Sequence, residues 1–218
     1  MSATYEVLAK LLPLLAAGAG LTILVSAIAM ILAVVVGMAA AVLAQLPNPW
    51  IRRFVRGYVE LFRNTPLLIQ LFILYFGLPQ LGISMSPLAC GIVALAIYTG
   101  AYNVEIFRAG LEAVPAGQHE AAVATGLSRL QEAVYVIIPQ ALRISFPSLG
   151  NNLVSLVKNS SLVSVIGLAD IMFQANEAAF TDFLSFAAYG LAVVLYVVII
   201  LLLTRLINKI DRKLAARQ

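Results

Sequence analysis

The residues that could do chemistry in this chain are few, and one group of them stands inside an apolar stretch. Between Arg143 and Asp170 the one charged residue is Lys158. A charge within a membrane-crossing helix is costly, and such residues usually face the protein interior or a water-filled cavity. The segment predicts either the polar lining of a path through the protein or a structural lysine paired with a backbone carbonyl or with a carboxylate such as Glu105. Its members are Lys158, Asn159, Ser160 and Ser161.

Other chemically useful residues are scarce. The 218 residues include one cysteine, Cys90, and one histidine, His119. A single cysteine excludes an intrachain disulfide and a cysteine cluster, and a single histidine leaves little for a metal centre or a catalytic site. No lysine follows a glycine, so the Gly-Lys pair of a phosphate-binding loop is missing. We therefore expect a protein that is not an enzyme, holds no metal and binds no cofactor of its own.

The composition indicates a membrane protein. Hydrophobic residues make up 62% of the chain and charged residues 11%, whereas soluble domains have about 25% charged residues. A chain of this length cannot hide such an apolar excess in a core, because much of its surface stays exposed on folding. The excess must face lipid, which excludes a soluble enzyme.

Charged residues divide the chain into apolar runs that are long enough to cross a bilayer. Positions 11–51, 64–104 and 183–204 carry no charge, and the second run contains the turn-forming segment 77–82. A crossing helix needs about 20 apolar residues. Counting the stretch around Lys158 as a further span, we predict an all-α membrane protein with one transmembrane domain over 1–218. The five predicted spans cover about 18–44, 58–77, 87–107, 145–169 and 186–207.

The basic residues indicate how these spans are oriented. Five spans place 12 of the 14 lysines and arginines, including Arg52 and Arg217, on one side of the membrane. The other side holds Lys10 with several acidic residues, among them Glu177 and Asp182. Because basic residues concentrate on the cytoplasmic side, we predict an N-terminus outside and a C-terminus in the cytoplasm.

Only one loop is long, at about 112–140, and it is expected to be cytoplasmic. Good helix formers precede Gly126, and Ser128 after it is a plausible helix N-cap. Two short helices that meet at a glycine predict a compact knob able to dock into a groove on a cytosolic partner. The alternative is a loop that merely connects two spans.

Several smaller patterns leave two interpretations open. The pairs Glu60–Arg63 and Glu105–Arg108 have the i, i+3 spacing of helix ion pairs, which could anchor helix ends or form part of an inner gate. Tyr98, Tyr102 and Asn103 could line a path, although a tyrosine near a helix end is more often a membrane-interface anchor. For His119 a contact or a helix cap is favoured over catalysis, and for Cys90 packing is favoured.

The loop resembles the EAA loop of binding-protein-dependent ABC importer permeases. Its matching positions are Glu120, Ala121, Ala122, Gly126 and Pro139. The runs at 60–68, 75–79, 101–110, 117–122 and 158–162 are similar to successive signatures of the polar amino acid subfamily. These signatures occur in chain order and cover nearly the whole chain, which makes the resemblance specific.

The resemblance implies a type I ABC importer permease for polar amino acids, located in a bacterial inner membrane. It implies a pair of ATPase subunits that bind ATP and dock on the EAA loops, a second permease that is identical or paralogous, and an extracytoplasmic binding protein. Membrane lipid is expected around the chain, and nucleic acid is not a partner. The candidate path or gate residues are Glu105, Arg108, Lys158, Asn159, Ser160 and Ser161.

The alternative function is a stand-alone secondary carrier for small polar solutes. Such carriers are commonly built from paired repeats. The odd number of predicted spans and the absence of a visible repeat argue against this alternative. A membrane enzyme would need converging catalytic groups that the sequence does not supply. Co-purification of an ATPase subunit would distinguish an importer permease from a carrier.

Overall fold

The computed structural model describes residues 2–181 and 184–215, and within these ranges the chain forms helices and turns without a strand. Asp182 and Arg217, which entered the charge count above, lie outside the described residues. The α-helices are α1 (Ser2–Leu43), α2 (Pro49–Asn64), α3 (Leu67–Phe72), α4 (Pro87–Glu112), α5 (Ala116–Ala124), α6 (Arg129–Glu132), α7 (Ile138–Asn159), α8 (Ile171–Thr181) and α9 (Ser185–Ala215).

Helix α4 lies at the centre of the bundle and packs against α1, α2 and α7. Small residues permit this close approach, as is usual between membrane helices. A Cβ atom added to Gly37 of α1 would lie 2.5 Å from the Cβ of Asn103 on α4. One added to Gly100 of α4 would lie 2.8 Å from the hydroxyl of Tyr58. The backbones of α1 and α4 therefore approach closely at Gly37, and Gly100 leaves room for the Tyr58 side chain that reaches α4 from α2.

The first helix is longer than the predicted span over 18–44, since α1 covers 42 residues. It ends before the segment containing Pro47 and Pro49. Helix α2 begins at once, because the Asn48 side chain accepts a hydrogen bond from the Trp50 backbone N–H at 2.9 Å and proline occupies the first helical position.

The prediction of one continuous helix over 58–77 is wrong. The chain bends by 104° between α2 and the segment Leu67–Leu81. Thr65 has φ −110° and ψ 140°, the extended conformation that a following proline favours, and Pro66 has no N–H to continue the helix. Helix α3 then passes through a π-helical turn, Ile73–Gly77, and a 3₁₀ turn, Leu78–Leu81.

The stretch predicted as a span over 145–169 is also broken. Helix α7 begins earlier, at Ile138, and changes at Ser160 into a 3₁₀ segment, Ser160–Ile166. Gly167 follows with φ +83°, a left-handed conformation that favours glycine, and α8 starts after it at an angle of 48°.

Three of the described helices are each long and apolar enough to cross a membrane: Ala9–Leu43, Pro87–Glu112 and Ser185–Leu214. Counting each bent pair as one span raises the number to five. The last of these helices extends beyond the predicted 186–207, because α9 continues as an exposed basic end with Arg212 and Lys213.

Candidate functional site

The loop between α4 and α7 folds into two short helices, α5 and α6, that meet at Gly126. The Gly126 N–H donates to the Val123 carbonyl at 3.0 Å, and the Leu127 N–H donates to the Ala122 carbonyl at 3.2 Å. These two bonds form a Schellman motif, which needs a left-handed residue after the helix, and Gly126 has φ +74°. The glycine therefore ends α5 and sets the direction of α6.

Side chains tie this pair of helices together and to the start of α7. Ser128 caps α6, as predicted, and forms a reciprocal capping box with Gln131. His119 Nδ1 lies 2.5 Å from Glu132 Oε1, which makes the histidine a contact between α5 and α6. The Gln140 side chain donates to Gln118 Oε1 at 3.0 Å, joining α7 to α5. The loop is thus an ordered knob whose two short helices are held together by side-chain contacts.

The knob exposes apolar side chains. Val123, Leu130 and Tyr135 are 66%, 75% and 72% exposed. Among the predicted loop residues, Ala122 is buried, Glu120, Ala121 and Gly126 are exposed, and Pro139 is half-buried at the second position of α7. A pocket lined by His119 and Arg129 of the knob and by Val42 and Gln45 lies at the end of α1, so the knob sits at that end of the bundle.

The break between α2 and α3 is bridged by one buried amide. Gln70 is 8% exposed, and its Nε2 lies 3.0 Å from the Phe62 carbonyl and 3.1 Å from the Thr65 carbonyl. Thr65 Oγ1 in turn donates to the Leu61 carbonyl at 2.8 Å. Carbonyl groups released by the break therefore have donors, as a membrane interior requires.

The second break contains the polar segment singled out from the sequence. Ser160 is fully buried and its hydroxyl donates to the Val157 carbonyl, whereas Ser161 donates to the Lys158 carbonyl, both at 2.8 Å. Lys158 is exposed on the single chain, and Asn159 is half-buried. The two breaks adjoin one another, because α3 packs against the 3₁₀ segment through a shared cluster of apolar side chains. This cluster includes Leu67, Leu71, Leu156 and Val163.

The interpretation that pairs Lys158 with Glu105 is wrong. Helices α4 and α7 are antiparallel, and Asn152 pairs with Asn103 between them at 2.8 Å. Glu105 and Lys158 lie beyond that pair in opposite directions, two and six residues away, which separates them by roughly 12 Å along the helices. The Lys158 ammonium and the Glu105 carboxylate therefore do not form an ion pair.

Glu105 instead forms the predicted pair with Arg108. Their side chains meet at 2.8 Å, and Arg108 also contacts Glu112 at 2.8 Å. All three side chains are substantially exposed near the end of α4. An exposed ion pair contributes little to stability.

The predicted Glu60–Arg63 pair is wrong for the residues that the structure describes. The Arg63 guanidinium lies over the Tyr102 ring at 4.9 Å from its centroid, and the Tyr102 and Tyr98 hydroxyls are 3.2 Å apart. The i, i+3 spacing places Glu60 and Arg63 at neighbouring positions on α2. Arg63 nevertheless makes a cation–π contact with the Tyr102 ring of α4 in place of the ion pair.

Three buried or half-buried polar residues of the bundle did not enter the site prediction. Gln70, Asn152 and the hydroxyl of Tyr58, which donates to the Ile97 carbonyl at 2.7 Å, all join one helix segment to another. Gln70 is the one polar residue between Pro66 and Tyr75, and that isolation could have marked it in the sequence.

An all-α bundle with apolar helices, two helix breaks in contact and an ordered knob at one end is an architecture that suits the membrane subunit of a transporter. Residues 33–216 match the family described as the binding-protein-dependent transport system inner membrane component. The match covers most of the chain, and the chain belongs to this family.

The curated relatives are permease subunits of similar length. The probable glutamine ABC transporter permease protein GlnM of Bacillus subtilis is 37% identical over 193 residues, which are 88% of this chain and 89% of the relative. The arginine transport system permease protein ArtQ of Bacillus subtilis is 35% identical over 207 residues, 93% of each chain.

Solved structures agree with this assignment. A crystal structure of an amino acid ABC transporter with histidines superposes with a TM-score of 0.87 at 35% identity, over 95% of this chain and 97% of that one. An inward-facing MetNI methionine ABC transporter gives a TM-score of 0.81 at 22% identity, covering 94% and 98% of the two chains, and supports the fold alone.

These findings confirm the permease prediction. The chain is a multi-pass inner membrane permease subunit of a binding-protein-dependent ABC importer, with the type I importer fold. Such subunits are not enzymes, since the ATPase activity resides on a separate subunit. The family implies an ATPase and a binding protein as partners. The resemblance to the polar amino acid subfamily is likewise confirmed by the relatives.

Proposed function

We propose that this permease imports a polar amino acid and couples to its ATPase subunits through the knob formed by residues 112–140. The exposed apolar side chains of Val123, Leu130 and Tyr135 carry the proposal. Large apolar side chains exposed on a loop outside the apolar helices are typical of an interaction surface. The helix bonds and capping box described above hold this surface in one shape, so that a displacement of the partner moves α4 and α7 with it.

Each predicted loop residue has a role in this docking. Glu120 and Ala121 lie on the exposed side of α5 and would meet the ATPase, while Ala122 beneath them keeps α5 close to its neighbours. Gly126 sets the angle between the two short helices, and Pro139 begins the helix that carries the motion into the bundle.

Polar amino acids are the proposed substrate class. The relatives named above are described as glutamine and arginine permeases, and both amino acids combine a charged backbone end with a polar side chain. The polar segment Lys158, Asn159, Ser160 and Ser161 supports a path that such a solute could follow, because it combines a helix break with exposed and half-buried polar groups. The exposed Glu105–Arg108 pair near the knob would act at a gate.

The proposed assembly contains two permeases, identical or paralogous, because five spans are few to enclose a path. Two ATPase subunits bind the ATP, this chain needs no cofactor, and an extracytoplasmic binding protein delivers the amino acid. The N-terminus lies outside and the C-terminus in the cytoplasm, in keeping with the basic ends of α2 and α9 on the side of the knob.

Replacement of Gly126 tests the docking role. No atom lies within 4 Å of a Cβ added to Gly126, so Gly126→Val acts through its φ of +74°. A left-handed non-glycine residue costs about 1–2 kcal/mol. We expect the variant to insert normally, to lose ATPase subunits on co-purification and to lose uptake in proteoliposomes.

Gly82→Val is the matched control. Gly82 also has a positive φ, +81°, and open space around it, but it lies at the opposite end of α4. This variant should carry the same backbone strain and retain the ATPase. Gly126→Asn should restore much of the association, because asparagine tolerates the left-handed conformation. Retention of the ATPase by Gly126→Val would contradict the docking role, and a preparation that never contains an ATPase would indicate a stand-alone carrier.

A further inference from the structure

Helix α7 differs from α9 in the residues that it leaves exposed. In the apolar stretch of α9 the exposed residues are aliphatic, among them Val193, Val197 and Leu201 at 61%, 48% and 52% exposure. One face of α7 is instead mostly polar. Its exposed or half-buried polar residues are Gln140, Ser148, Asn151, Ser155 and Lys158. At 100° per residue these positions fall within a sector of about 80° and extend over roughly 27 Å along the helix axis.

The polar face of α7 is turned away from α9. Gly150 packs against Ile207 of α9, and Asn152 pairs with Asn103 of α4 at 2.8 Å. Around α7, the centre of the polar face lies about 120° from Gly150 and about 80° from Asn152. The polar residues are therefore outside both helix contacts, on the side of α7 that is nearer to α4.

Helix α4 adds half-buried polar side chains on the same side of the bundle. The hydroxyls of Tyr98 and Tyr102 are 3.2 Å apart, and Glu105 follows about one turn later. Gly100 approaches Val36 of α1, and each tyrosine lies about 160° around α4 from Gly100. Helix α1 shares an apolar groove with α7 and α9 on the side of α7 that faces α9. The tyrosines and the polar face of α7 thus both point away from α1.

The polar face of α7 ends at a recess beside the knob. The recess has a volume of about 760 Å³, and its lining includes Gln118, Tyr135, Gln140 and Arg143. Gln140 belongs to the recess and to the polar face, so the two are continuous. Among the described lining residues one is a cation, Arg143, and none is a carboxylate. The recess therefore suits a solute with a negatively charged end.

A polar surface of this length needs a cover other than lipid. Lipid offers no hydrogen bonds to amide, hydroxyl and ammonium groups, so membrane proteins cover such groups with protein or with water in a cavity. We propose that the polar face of α7 is the inner half of the translocation path, and that the amino acid enters the cytoplasm through the recess beside the knob. Ser148, Asn151 and Ser155 supply neutral hydrogen-bonding groups along this route, and Arg143 attracts the carboxylate at its end. The inference rests on the proposed import function and adds the route.

The recess also connects the route to the docking surface. Tyr135 lines the recess and belongs to the exposed apolar side chains of the knob. Movement of an ATPase subunit on the knob would therefore change the width of the exit.

Cysteine labelling in the complete importer, reconstituted in vesicles, tests whether water reaches the polar face. The variants are Asn151→Cys and Ser155→Cys on α7, with Val193→Cys and Val197→Cys on α9 as controls. A charged thiol reagent that does not enter lipid reacts with the thiolate, which forms where water reaches the cysteine. We expect both α7 positions to react and both α9 positions to stay unmodified, as read by the mass of the permease. The native Cys90 is fully buried and should not react in any variant.

Uptake of L-glutamine and of L-arginine measures whether a solute uses this surface. Asn151→Leu should reduce uptake of the transported amino acid about two- to tenfold, the range for one lost hydrogen bond. Its thermal stability should stay unchanged, because Asn151 is exposed. Val197→Leu is the control and should alter neither quantity. Arg143→Gln should also reduce uptake, whereas Arg143→Lys keeps the positive charge and should retain most of it.

Two results would overturn the route while the complex still contains its ATPase and still transports. The first is an absence of labelling at both α7 positions, which would mean that protein covers the polar face. A disulfide between the same position in two copies would identify the second permease as that cover. The second is equal labelling of the α7 and α9 positions, which would mean that water does not distinguish the polar face. Absence of both the ATPase and uptake in the unaltered protein would instead contradict the proposed function itself.

Discussion

The chain breaks two of its apolar helices, between α2 and α3 and between α7 and α8, and it satisfies the released backbone groups in different ways. At the first break, Gln70 Nε2 alone reaches the carbonyls of Phe62 and Thr65. At the second break, each of three serines bonds the carbonyl three residues before it. These bonds join Ser160 to Val157, Ser161 to Lys158 and Ser164 to Ser161, at 2.7–2.8 Å.

This difference predicts how well each break should tolerate the substitution of its side chains. Lipid supplies no hydrogen bonds to an unpaired carbonyl, so every break within a membrane must be satisfied by the protein or by water in a cavity. The first break depends mainly on the Gln70 amide, which reaches back eight residues, with one local bond from Thr65 to the Leu61 carbonyl beside it. The second distributes the same task over local bonds and leaves a polar surface. We expect the first to be a fixed structural bend and the second to be the more adaptable element.

The largest effect is expected for Gln70→Leu. The substitution keeps the size of the side chain but leaves two carbonyls at the first break without their amide donor. Two unsatisfied carbonyls cost about 1–3 kcal/mol each, and loss of the buried Gln70 Oε1, for which the described residues offer no partner, offsets part of this cost. The free energy of unfolding should therefore fall by about 2–4 kcal/mol. Thermal unfolding of the purified permease measures this loss. Gln80→Leu, an exposed glutamine of the same segment, is the control and should be nearly neutral.

A smaller effect is expected for Asp170→Ala, at the far end of the second break. Asp170 is fully buried, and its Oδ1 accepts from the Phe173 N–H at 2.8 Å, as a helix N-cap does at the start of α8. Loss of the cap should lower the free energy of unfolding by about 1 kcal/mol. Asp170→Asn keeps the acceptor and should recover most of this loss. Equal losses in the two variants would show that capping is not the role of this side chain.

The effect on stability should be smaller still for Ser160→Ala. The substitution removes the hydroxyl together with its own need for a partner, so it should cost less than about 1 kcal/mol. Ser164→Ala should behave in the same way. A loss as large as that of Gln70→Leu would contradict the view that the second break distributes its hydrogen bonds.

Lys158→Met should change stability least, because the lysine is exposed on the single chain and the new side chain has similar length. If the second break lines the transport path, uptake at limiting substrate should nevertheless fall. Proteoliposome uptake, measured beside thermal unfolding, separates the two effects. Full uptake by this variant would leave only a structural or membrane-interface role for the lysine.

Much of the fold could be predicted from local features of the sequence. The membrane class follows from composition, because a chain of this length cannot bury so many apolar residues in its own core and must expose them to lipid. The knob was also predictable, because the bonds that end α5 at Gly126 and cap α6 at Ser128 join residues only a few positions apart in the sequence. The pair Glu105–Arg108 formed for the same reason, as both charges belong to one continuous helix.

The contacts between distant segments were decided by the tertiary structure. Lys158 and Glu105 are candidates for pairing in the sequence, but the antiparallel register of α4 and α7, held by Asn103 and Asn152, keeps them apart. Arg63 contacts Tyr102 rather than Glu60 because α4 brings the ring to α2. Composition determines the membrane class of the protein, and the spacing of nearby residues determines its helices and caps. The register between helices and the angle at each helix break depend on which side chains pack together across helices, and local sequence patterns do not contain that information.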